Sequence, residues 1–391
     1  MHCYTHHTMT MPHLPSDGRL TGPLHGLRVI EFAGIGPGPF AGMMLADMGA
    51  DVIVIDRPAD VLRSQGRPRP AMNRGKRAIA VDLKSEEGQA TVWRLLESAD
   101  ALLEGFRPGV MERLGFGPEA VAARVPRLVY GRVTGWGQDG PLAQAAGHDI
   151  NYVALTGVLH TSARMGQAPV IAPTMVGDMA GGAMFLLFGM LCALMEARQS
   201  GRGQAVDAAM VDGVTAMSAL IHQLRFNGTW VDQADANFFS NSSPFYEAFE
   251  CSDGRFVTFG AIEPQFYATL LEKLGLTDVP AQGQYDATQW PALKARVAAL
   301  VKSQPQAHWQ ALMEGSDACF APVLDFAQAA QHPHNQARGL FVDVQGERQV
   351  APAPRLSRSQ ARQPAPGAQI GEHTEAVLAR MAHTPGWPEA S

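Results

Sequence analysis

Residues 27–56, which read LRVIEFAGIGPGPFAGMMLADMGADVIVID, decide the fold class of this chain. Residues 27–33 are mostly apolar and β-branched, as in a buried strand. A loop rich in glycine and proline fills residues 34–39, and residues 40–48 have the apolar spacing of a helix. Residues 51–56 predict a second buried strand. A strand, a helix and a strand connected this closely imply parallel strands, so the stretch predicts an α/β fold.

The loop of this unit also fits a dinucleotide-binding fingerprint. Gly36 begins a G-x-G-x-x-A pattern, and Asp56 follows about 20 residues later, where the fingerprint has its acidic residue. Pro37 and Pro39, however, have no backbone N–H with which to hold a phosphate. Arg57 would place a cation beside any ribose. We therefore interpret the loop as a rigid strand-to-helix turn rather than as a nicotinamide or flavin site.

The alternation of strands and helices continues after this unit. Further strands are predicted at residues 78–84, 101–104, 127–134 and 204–210, and helices at 86–98, 178–198 and 211–227. Basic residues lie at or near the predicted strand ends, namely Arg57, Arg74, Lys76, Arg77, Lys84 and Arg107. In an open α/β sheet the ligand crevice lies at the carboxyl ends of the strands. We expect this group to make the crevice cationic and suited to a phosphorylated ligand.

The length of 391 residues favours two domains, and the sequence pattern changes at about residue 237. A hairpin is predicted at residues 245–250 and 256–261, followed by helices at 264–274, 291–302 and 306–314. We predict four regions: a flexible extension at 1–21, a large α/β domain at 22–235, a small α+β domain at 240–335, and a C-terminal segment at 336–391 whose last helix spans 371–382.

The bulk composition excludes several functional classes. The net charge of −6 gives no electrostatic reason to expect nucleic acid as a partner. The four cysteines, Cys3, Cys192, Cys251 and Cys319, have no metal-ligand spacing and predict free thiols in a reducing, cytoplasmic setting. The histidines of the N-terminal extension lack the fixed geometry that a metal site needs. We expect no metal ion and no redox cofactor.

No targeting or membrane segment is apparent from the sequence. Residues 1–21 have no apolar signal core and only one arginine. The longest apolar run, Ala180–Met195, is shorter than the roughly 18 to 20 residues that a bilayer span requires. It predicts a buried core helix, with its methionines (Met175, Met179, Met184, Met190 and Met195 lie in or just before it) either packed in the core or forming a soft surface for acyl chains.

The candidate reactive residues are His148 and Asp178, each of which follows a glycine. A histidine and a carboxylate are the ingredients of a two-base proton-transfer site. Each also has an ordinary structural interpretation: Asp178 as a helix N-cap, and His148 as a loop histidine bonded to the backbone. Glu263, which precedes Pro264, similarly reads as the start of a helix.

Several long motifs together resemble one known family. The strings GLRVIEFAGIGPGPFAGMMLADMGADVIVIDRP, RGKRAIAVDLK, EGFRPGVMERLGFGP, AGHDINYVALTGVL, VGDMAGGAMF, GRGQAVDAAMVDG and AIEPQFY occur between residues 26 and 267. They resemble the family III coenzyme A transferases, and look most like the branch that racemises α-methylacyl-CoA thioesters. The resemblance runs from about Gly22 to Ala382.

The resemblance implies a large Rossmann-like domain to which the C-terminal segment returns, a small domain, and two interlocked chains with the active site between them. It implies a 2-methylacyl-CoA ligand, with His148 and Asp178 as the proton-transfer groups and Glu263 supporting the histidine. The family's CoA contacts fall on Arg57, Val81, Asp82, Leu83, Lys84, Arg107, Gly147, His148, Asp149, Ile150, Asn151 and Tyr152.

The expected chemistry is removal of the α-proton on one face of the thioester and its return on the other. We expect the N-terminus of the helix near Asp178 to donate backbone N–H groups to the enolate oxygen, and Gly181 and Gly182 to allow its close approach. One alternative is CoA transfer between carboxylic acids, with Asp178 as a nucleophile that forms an enzyme thioester. Another is a CoA-binding protein without turnover.

Overall fold

The computed structural model describes residues 22–383 and 386–389 of this chain. The predicted flexible extension at 1–21 therefore lies outside the described residues. The described chain forms two compact units. The first contains the residues up to Ala146, Asp178–Met210 and the residues from Gly339 onwards. The second contains Gly147–Gly177 and Val211–Arg338.

The strands form three sheets, and the helices are numbered in chain order. The strands are β1 (Arg28–Phe32), β2 (Asp51–Asp56), β3 (Arg77–Ala80), β4 (Ala101–Glu104), β5 (Val129–Thr134), β6 (Ala205–Ala209), β7 (Tyr246–Glu250), β8 (Phe256–Gly260), β9 (Phe320–Val323), β10 (Phe341–Val344) and β11 (Glu347–Val350). The helices are α1 (Pro37–Asp47), α2 (Pro58–Ser64), α3 (Glu86–Ser98), α4 (Val110–Arg113), α5 (Pro118–Arg124), α6 (Asp149–Leu155), α7 (Phe185–Ser200), α8 (Met210–Met217), α9 (Ala219–Phe226), α10 (Pro264–Lys273), α11 (Trp290–Lys302), α12 (Gln306–Met313), α13 (Phe326–Gln331), α14 (Pro333–Ala337) and α15 (Thr374–His383).

The first unit is built on a six-stranded sheet with the order β3-β2-β1-β4-β5-β6, in which every neighbouring pair is parallel. This is the strand order of a Rossmann-type sheet. The prediction of an α/β fold with a Rossmann-like large domain is thus confirmed. The continuous apolar runs of β1, β2 and β4 follow from burial on both faces of a parallel sheet.

The helix that carries Asp178 is longer than the apolar run predicted. Residues Met175–Met184 are wound as a π-helix that continues directly into α7. In the described part of the chain, this 26-residue segment is the one helix long and apolar enough to cross a membrane, judged by length and composition alone. It packs on β5 and β6, where Gly131 lets the side chains of Leu186 and Met190 come close. This is the packing of a helix that covers a sheet.

The second unit contains the antiparallel sheet β7-β8-β9 and helices around its own aromatic core, as the predicted hairpin and helices required. Two features depart from the predicted boundaries. Residues 147–177 and 211–235 belong to this unit, although we predict them from the sequence as part of the large domain. The single helix predicted at 211–227 is interrupted at Ser218 and forms α8 and α9.

The C-terminal segment packs with the first unit and contains a hairpin that the sequence did not reveal. Strands β10 and β11 pair through a two-residue turn in which Gln345 and Gly346 both have positive φ, at 55° and 85°. Turns of this kind favour Asn-Gly or Asp-Gly, so Gln345-Gly346 does not predict a hairpin from sequence. Further along, His373 and Thr374 supply side-chain acceptors to the backbone N–H groups of Ala78 and Ala80, which covers the open edge of β3.

Candidate active site

A cavity of about 940 Å³ opens at the carboxyl ends of β1 to β4 in the first unit. This is the position where open α/β sheets bind their ligands. Its wall includes residues with predicted CoA contacts, namely Arg57, Val81, Asp82, Leu83 and Lys84. Gly105 and Phe106 also line it, and the exposed Arg107 is the next residue along the chain. The wall is mostly apolar, with the charged side chains of Arg57 and Lys84 among its residues, and its volume suits a large ligand that carries both apolar and phosphate groups.

Arg57 lines the cavity and forms a bidentate ion pair with Asp60. Its Nε donates to Asp60 Oδ2 at 2.7 Å, and its Nη2 donates to Asp60 Oδ1 at 3.2 Å. The Arg57 side chain stays largely exposed. The hydrogen bond from Arg57 is the main cause that lowers the pKa of the Asp60 carboxyl. Arg57 is thus oriented but still accessible to an anionic ligand.

Three of the basic residues predicted for the crevice lie elsewhere. Arg74 and Lys76 precede β3, and Arg77 is its first residue, so all three stand away from the strand's carboxyl end. Each side chain is paired with a carboxylate: Arg74 with Asp47 at 2.7 Å, Lys76 with Glu31 at 2.7 Å, and Arg77 with Asp51 at 2.6 Å. The prediction that they line a cationic crevice is wrong, because residues that precede a parallel strand lie at its amino end, opposite the crevice.

Asp178 lies in the first turns of the π-helix and its side chain is half-buried. Its carboxylate stands beside Gly36, where an added Cβ would lie 3.2 Å from Asp178 Oδ2. Gly36 has φ 72° and ψ −119°, a backbone conformation that favours glycine. The preceding residues Ala33, Gly34 and Ile35 line the cavity. One loop therefore connects the cavity wall to the carboxylate, and sequence reasoning missed this role of Gly36.

His148 is the N-cap residue of α6, and its side chain is exposed. Its backbone N–H donates to Asn151 Oδ1 at 3.0 Å, and its carbonyl accepts from the backbone N–H groups of Asn151 and Tyr152. The Tyr152 hydroxyl donates to the carbonyl of Gly147. The segment Gly147–Tyr152 is thereby fixed by its own hydrogen bonds, within the second unit. This leaves the imidazole accessible for proton transfer.

Asp149 ties this segment to the residues just before Asp178. Its Oδ2 accepts a hydrogen bond of 2.7 Å from the backbone N–H of Gly177, and both residues are buried. The helix starts at Met175 rather than near Asp178, so one N–H expected to serve the enolate oxygen is already occupied by Asp149. The expectation about close approach is also corrected, because Gly181 and Gly182 are buried and Gly182 packs against Pro37, Val133 and Met210.

Glu263 is the N-cap residue of α10, and its side chain is exposed. In the described part of this single chain, the side chains of Glu263 and His148 are not hydrogen-bonded to each other. Burial raises the pKa of the Tyr285 phenol, and the negative charge of Glu263 raises it further. Additional negative charge is thus disfavoured beside Glu263. A hydrogen-bonding group that carries a proton therefore suits this position.

The remaining candidates divide between core and surface. Of the methionines considered, Met190 is fully buried, whereas Met175, Met184 and Met195 are exposed. Within residues 22–383 and 386–389, no three histidine, cysteine or acidic side chains cluster closely enough to hold a metal ion. Cys192, Cys251 and Cys319 are free thiols.

The chain was compared with known proteins. A family described as CoA-transferase family III matches residues 24–374. The alpha-methylacyl-CoA racemase of Mus musculus is 42% identical over 361 residues, which cover 91% of this chain and 92% of that protein. A succinate–glutarate CoA-transferase of Agrobacterium fabrum is 33% identical over 393 residues, covering 92% of this chain and 96% of that protein. A crystal structure of a CAIB/BAIF family protein from Brucella suis matches with a TM-score of 0.79 and 27% identity, over 92% of this chain and 99% of that chain.

Proposed function

The chain belongs to CoA-transferase family III, and from this premise we propose that it is a racemase that interconverts the (2R) and (2S) epimers of 2-methylacyl-CoA thioesters. The higher identity to a racemase (42%) than to a transferase (33%) favours this branch of the family. The observation that carries the proposal is the loop of residues 33–36. It lines the cavity with Ala33, Gly34 and Ile35, and it meets the carboxylate of Asp178 at Gly36.

The reaction needs a base that removes the α-proton and an acid that returns a proton to the opposite face. We assign these roles to His148 and Asp178, which exchange them according to the hand of the substrate. Breaking the α C–H bond moves its electron pair into an enolate, and forming the new C–H bond from the protonated partner returns that pair to carbon. Because no electrons leave the substrate, the reaction needs no redox cofactor, and we propose that it also proceeds without a metal ion.

Glu263 supports the imidazole of His148 in this proposal. A carboxylate hydrogen-bonded to a histidine favours the charged imidazolium and fixes its orientation. Since His148 and Glu263 are not hydrogen-bonded in the single chain, we propose that Glu263 of the partner subunit makes this contact in a homodimer. Apolar side chains exposed along one face of the π-helix and α7 suit such a partner surface: Met184, Phe188, Leu191 and Met195.

The cavity of the first unit would bind the CoA moiety. Arg57 and Lys84 are the charged groups placed to meet its phosphates, and the backbone around Val81–Leu83 would flank the adenine. Asp149, Ile150, Asn151 and Tyr152, together with Gly147 and Arg107, would complete the contacts to the ligand. We propose a cytoplasmic protein of fatty-acid and lipid metabolism whose partners are its acyl-CoA substrate and a second copy of itself, with no nucleic acid or membrane.

CoA transfer is the second candidate, because Asp178 could also act as a nucleophile and form an aspartyl thioester. The match to a succinate–glutarate CoA-transferase at 33% identity, over 92% of this chain and 96% of that protein, supports this second candidate. Incubation with acyl-CoA and hydroxylamine distinguishes the two. In a transferase, hydroxylamine would attack the aspartyl thioester, release CoA and leave a hydroxamate on Asp178, and Asp178→Asn would abolish this trapping. A racemase would form no such adduct.

The test of the dimer uses two inactive chains made together. His148→Ala and Glu263→Ala are co-expressed with different affinity tags, and the mixed dimer is isolated. If Glu263 acts on His148 of the other chain, one of the two sites in the mixed dimer is intact and racemase activity returns to about half that of the unaltered dimer. If both residues act within one chain, the mixed dimer has no intact site and stays inactive.

A further inference from the structure

Asp56 forms part of the cavity but belongs to none of the contacts assigned above. It is the last residue of β2 and precedes Arg57. Only 5% of its surface is exposed. Its Oδ2 accepts a long hydrogen bond of 3.4 Å from the backbone N–H of Gly371, and among the described residues its Oδ1 has no hydrogen-bond partner. The carboxyl of Asp56 thus lies in the cavity wall with this one long hydrogen bond from the protein.

The surroundings of Asp56 disfavour a negative charge. Glu31 approaches from β1 and Asp60 from α2, and both carboxylates repel it. Lys76 is the nearby cation, but its ammonium group donates to Glu31 Oε2 at 2.7 Å and to the carbonyl of Pro39 at 2.9 Å. Burial, with these two carboxylates adding to it, raises the pKa of Asp56 to about 7, against the opposing effects of the Gly371 N–H and Lys76.

The C-terminal segment packs beside Asp56 through the Gly371 backbone N–H. Ile370 lines the cavity, and Gly371 has φ 71°, with room for no side chain between Val61 and Ala80. The segment adds no further charge beside Asp56, because Glu372 is paired with Arg69 at 2.8 Å. The carboxyl of Asp56 therefore lies between the Gly371 backbone and the space that a ligand would occupy.

We propose that Asp56 is an additional coenzyme-binding residue that meets the anionic part of CoA as a neutral carboxylic acid and donates its proton to a ligand oxygen. The inference rests on the proposed function and adds a residue that favours CoA thioesters over uncharged acyl compounds. CoA carries phosphate groups, so an ionised Asp56 would repel it, whereas the neutral acid supplies a hydrogen-bond donor beside Arg57. Binding of CoA at pH 8 then takes up a proton at Asp56.

Calorimetric titration with free CoA tests this directly. The heat of binding is measured at pH 8 in two buffers of different ionisation enthalpy, which gives the number of protons taken up. We expect uptake approaching one proton for the unaltered protein and none at this site for Asp56→Asn. From pH 7.5 to 8.5 the affinity of the unaltered protein should fall by close to tenfold more than that of Asp56→Asn, since only the protonated form binds. Glu86→Gln, which changes an exposed carboxyl in the first turn of α3 outside the cavity lining, is the control and keeps the uptake.

The outcomes separate this inference from the proposed function. Tight CoA binding and racemisation with no proton uptake, or with equal uptake in Asp56→Asn, would overturn the role of Asp56 alone. Failure of the unaltered protein to bind CoA at all overturns both. If Asp56→Asn does not fold, as judged by circular dichroism, the proton uptake of the unaltered protein still decides, because zero uptake contradicts the proposal.

Discussion

Asp149 and Gly177 are joined by a buried hydrogen bond of 2.7 Å from the Gly177 backbone N–H to the Asp149 carboxylate. Each is next in sequence to one of the two proposed acid/base residues, since His148 precedes Asp149 and Asp178 follows Gly177. The bond is thus placed to fix the backbone at both reactive positions. It was not evident from sequence, because 28 residues separate its partners.

Replacing Asp149 by alanine should therefore impair catalysis. A buried N–H without an acceptor costs about 1–3 kcal/mol, and displacement of a reactive group by about 1 Å can cost roughly a hundredfold in rate. We expect Asp149→Ala to lower kcat by roughly tenfold to a hundredfold. Asp149→Asn retains an acceptor oxygen and is the matched control. Equal kcat values for the alanine variant and the unaltered protein would show that the bond does not position the site.

Gly36→Ala should reduce racemisation through contact with Asp178. The new Cβ would lie 3.2 Å from Asp178 Oδ2, and the positive φ of 72° adds strain of about 1–3 kcal/mol. Gly26→Ala introduces positive-φ strain at 84° with no neighbouring atom within 4 Å, so it serves as the control. Melting temperatures and kcat of both variants are compared. We expect a kcat loss in Gly36→Ala only. A loss shared by both variants would contradict a specific effect of Gly36 on Asp178.

Lys76→Met should destabilise the first unit strongly. Lys76 and Glu31 form an ion pair in which both side chains are at most 1% exposed. Removing one partner leaves a buried unpaired charge, which costs about 3–5 kcal/mol. The exposed pair Lys302–Glu250 provides the control, since Lys302→Met should change the free energy of unfolding by less than about 1 kcal/mol. Denaturant unfolding measures both, and similar effects in the two variants would argue against a buried pair.

The stability of the ligand-free protein should depend on pH through Asp56. Burial raises its pKa from 3.8 to about 7, so between these values the folded state keeps a proton that the unfolded state has lost. Stability therefore falls as pH rises through this window, by up to about 4 kcal/mol. Asp56→Asn removes the penalty: it should be more stable than the unaltered protein at pH 8 and show no such gain at pH 4. A constant difference across pH is incompatible with this titration.

The sequence predicted the βαβ unit at residues 27–56 and the position of the cavity, because both depend on local patterns and on a general property of parallel sheets. Arg57 and Val81–Lys84 follow strands and line the cavity. Arg74 and Lys76 were misplaced because they precede β3 and are paired in the interior. The contact between Gly36 and Asp178 joins residues far apart in sequence, and no local pattern encodes it.

Racemisation by this protein requires that the α-proton of 2-methylacyl-CoA is removed from one face and that a proton returns to the other. The most direct measurement is incubation of one epimer of a 2-methylacyl-CoA in D2O, with α-deuterium followed by mass spectrometry and the two epimers separated by chiral chromatography. We expect deuterium incorporation with drift to both epimers, and loss of both in His148→Ala and Asp178→Ala. Retention of the α-hydrogen and of a single epimer across several acyl chains would contradict racemisation.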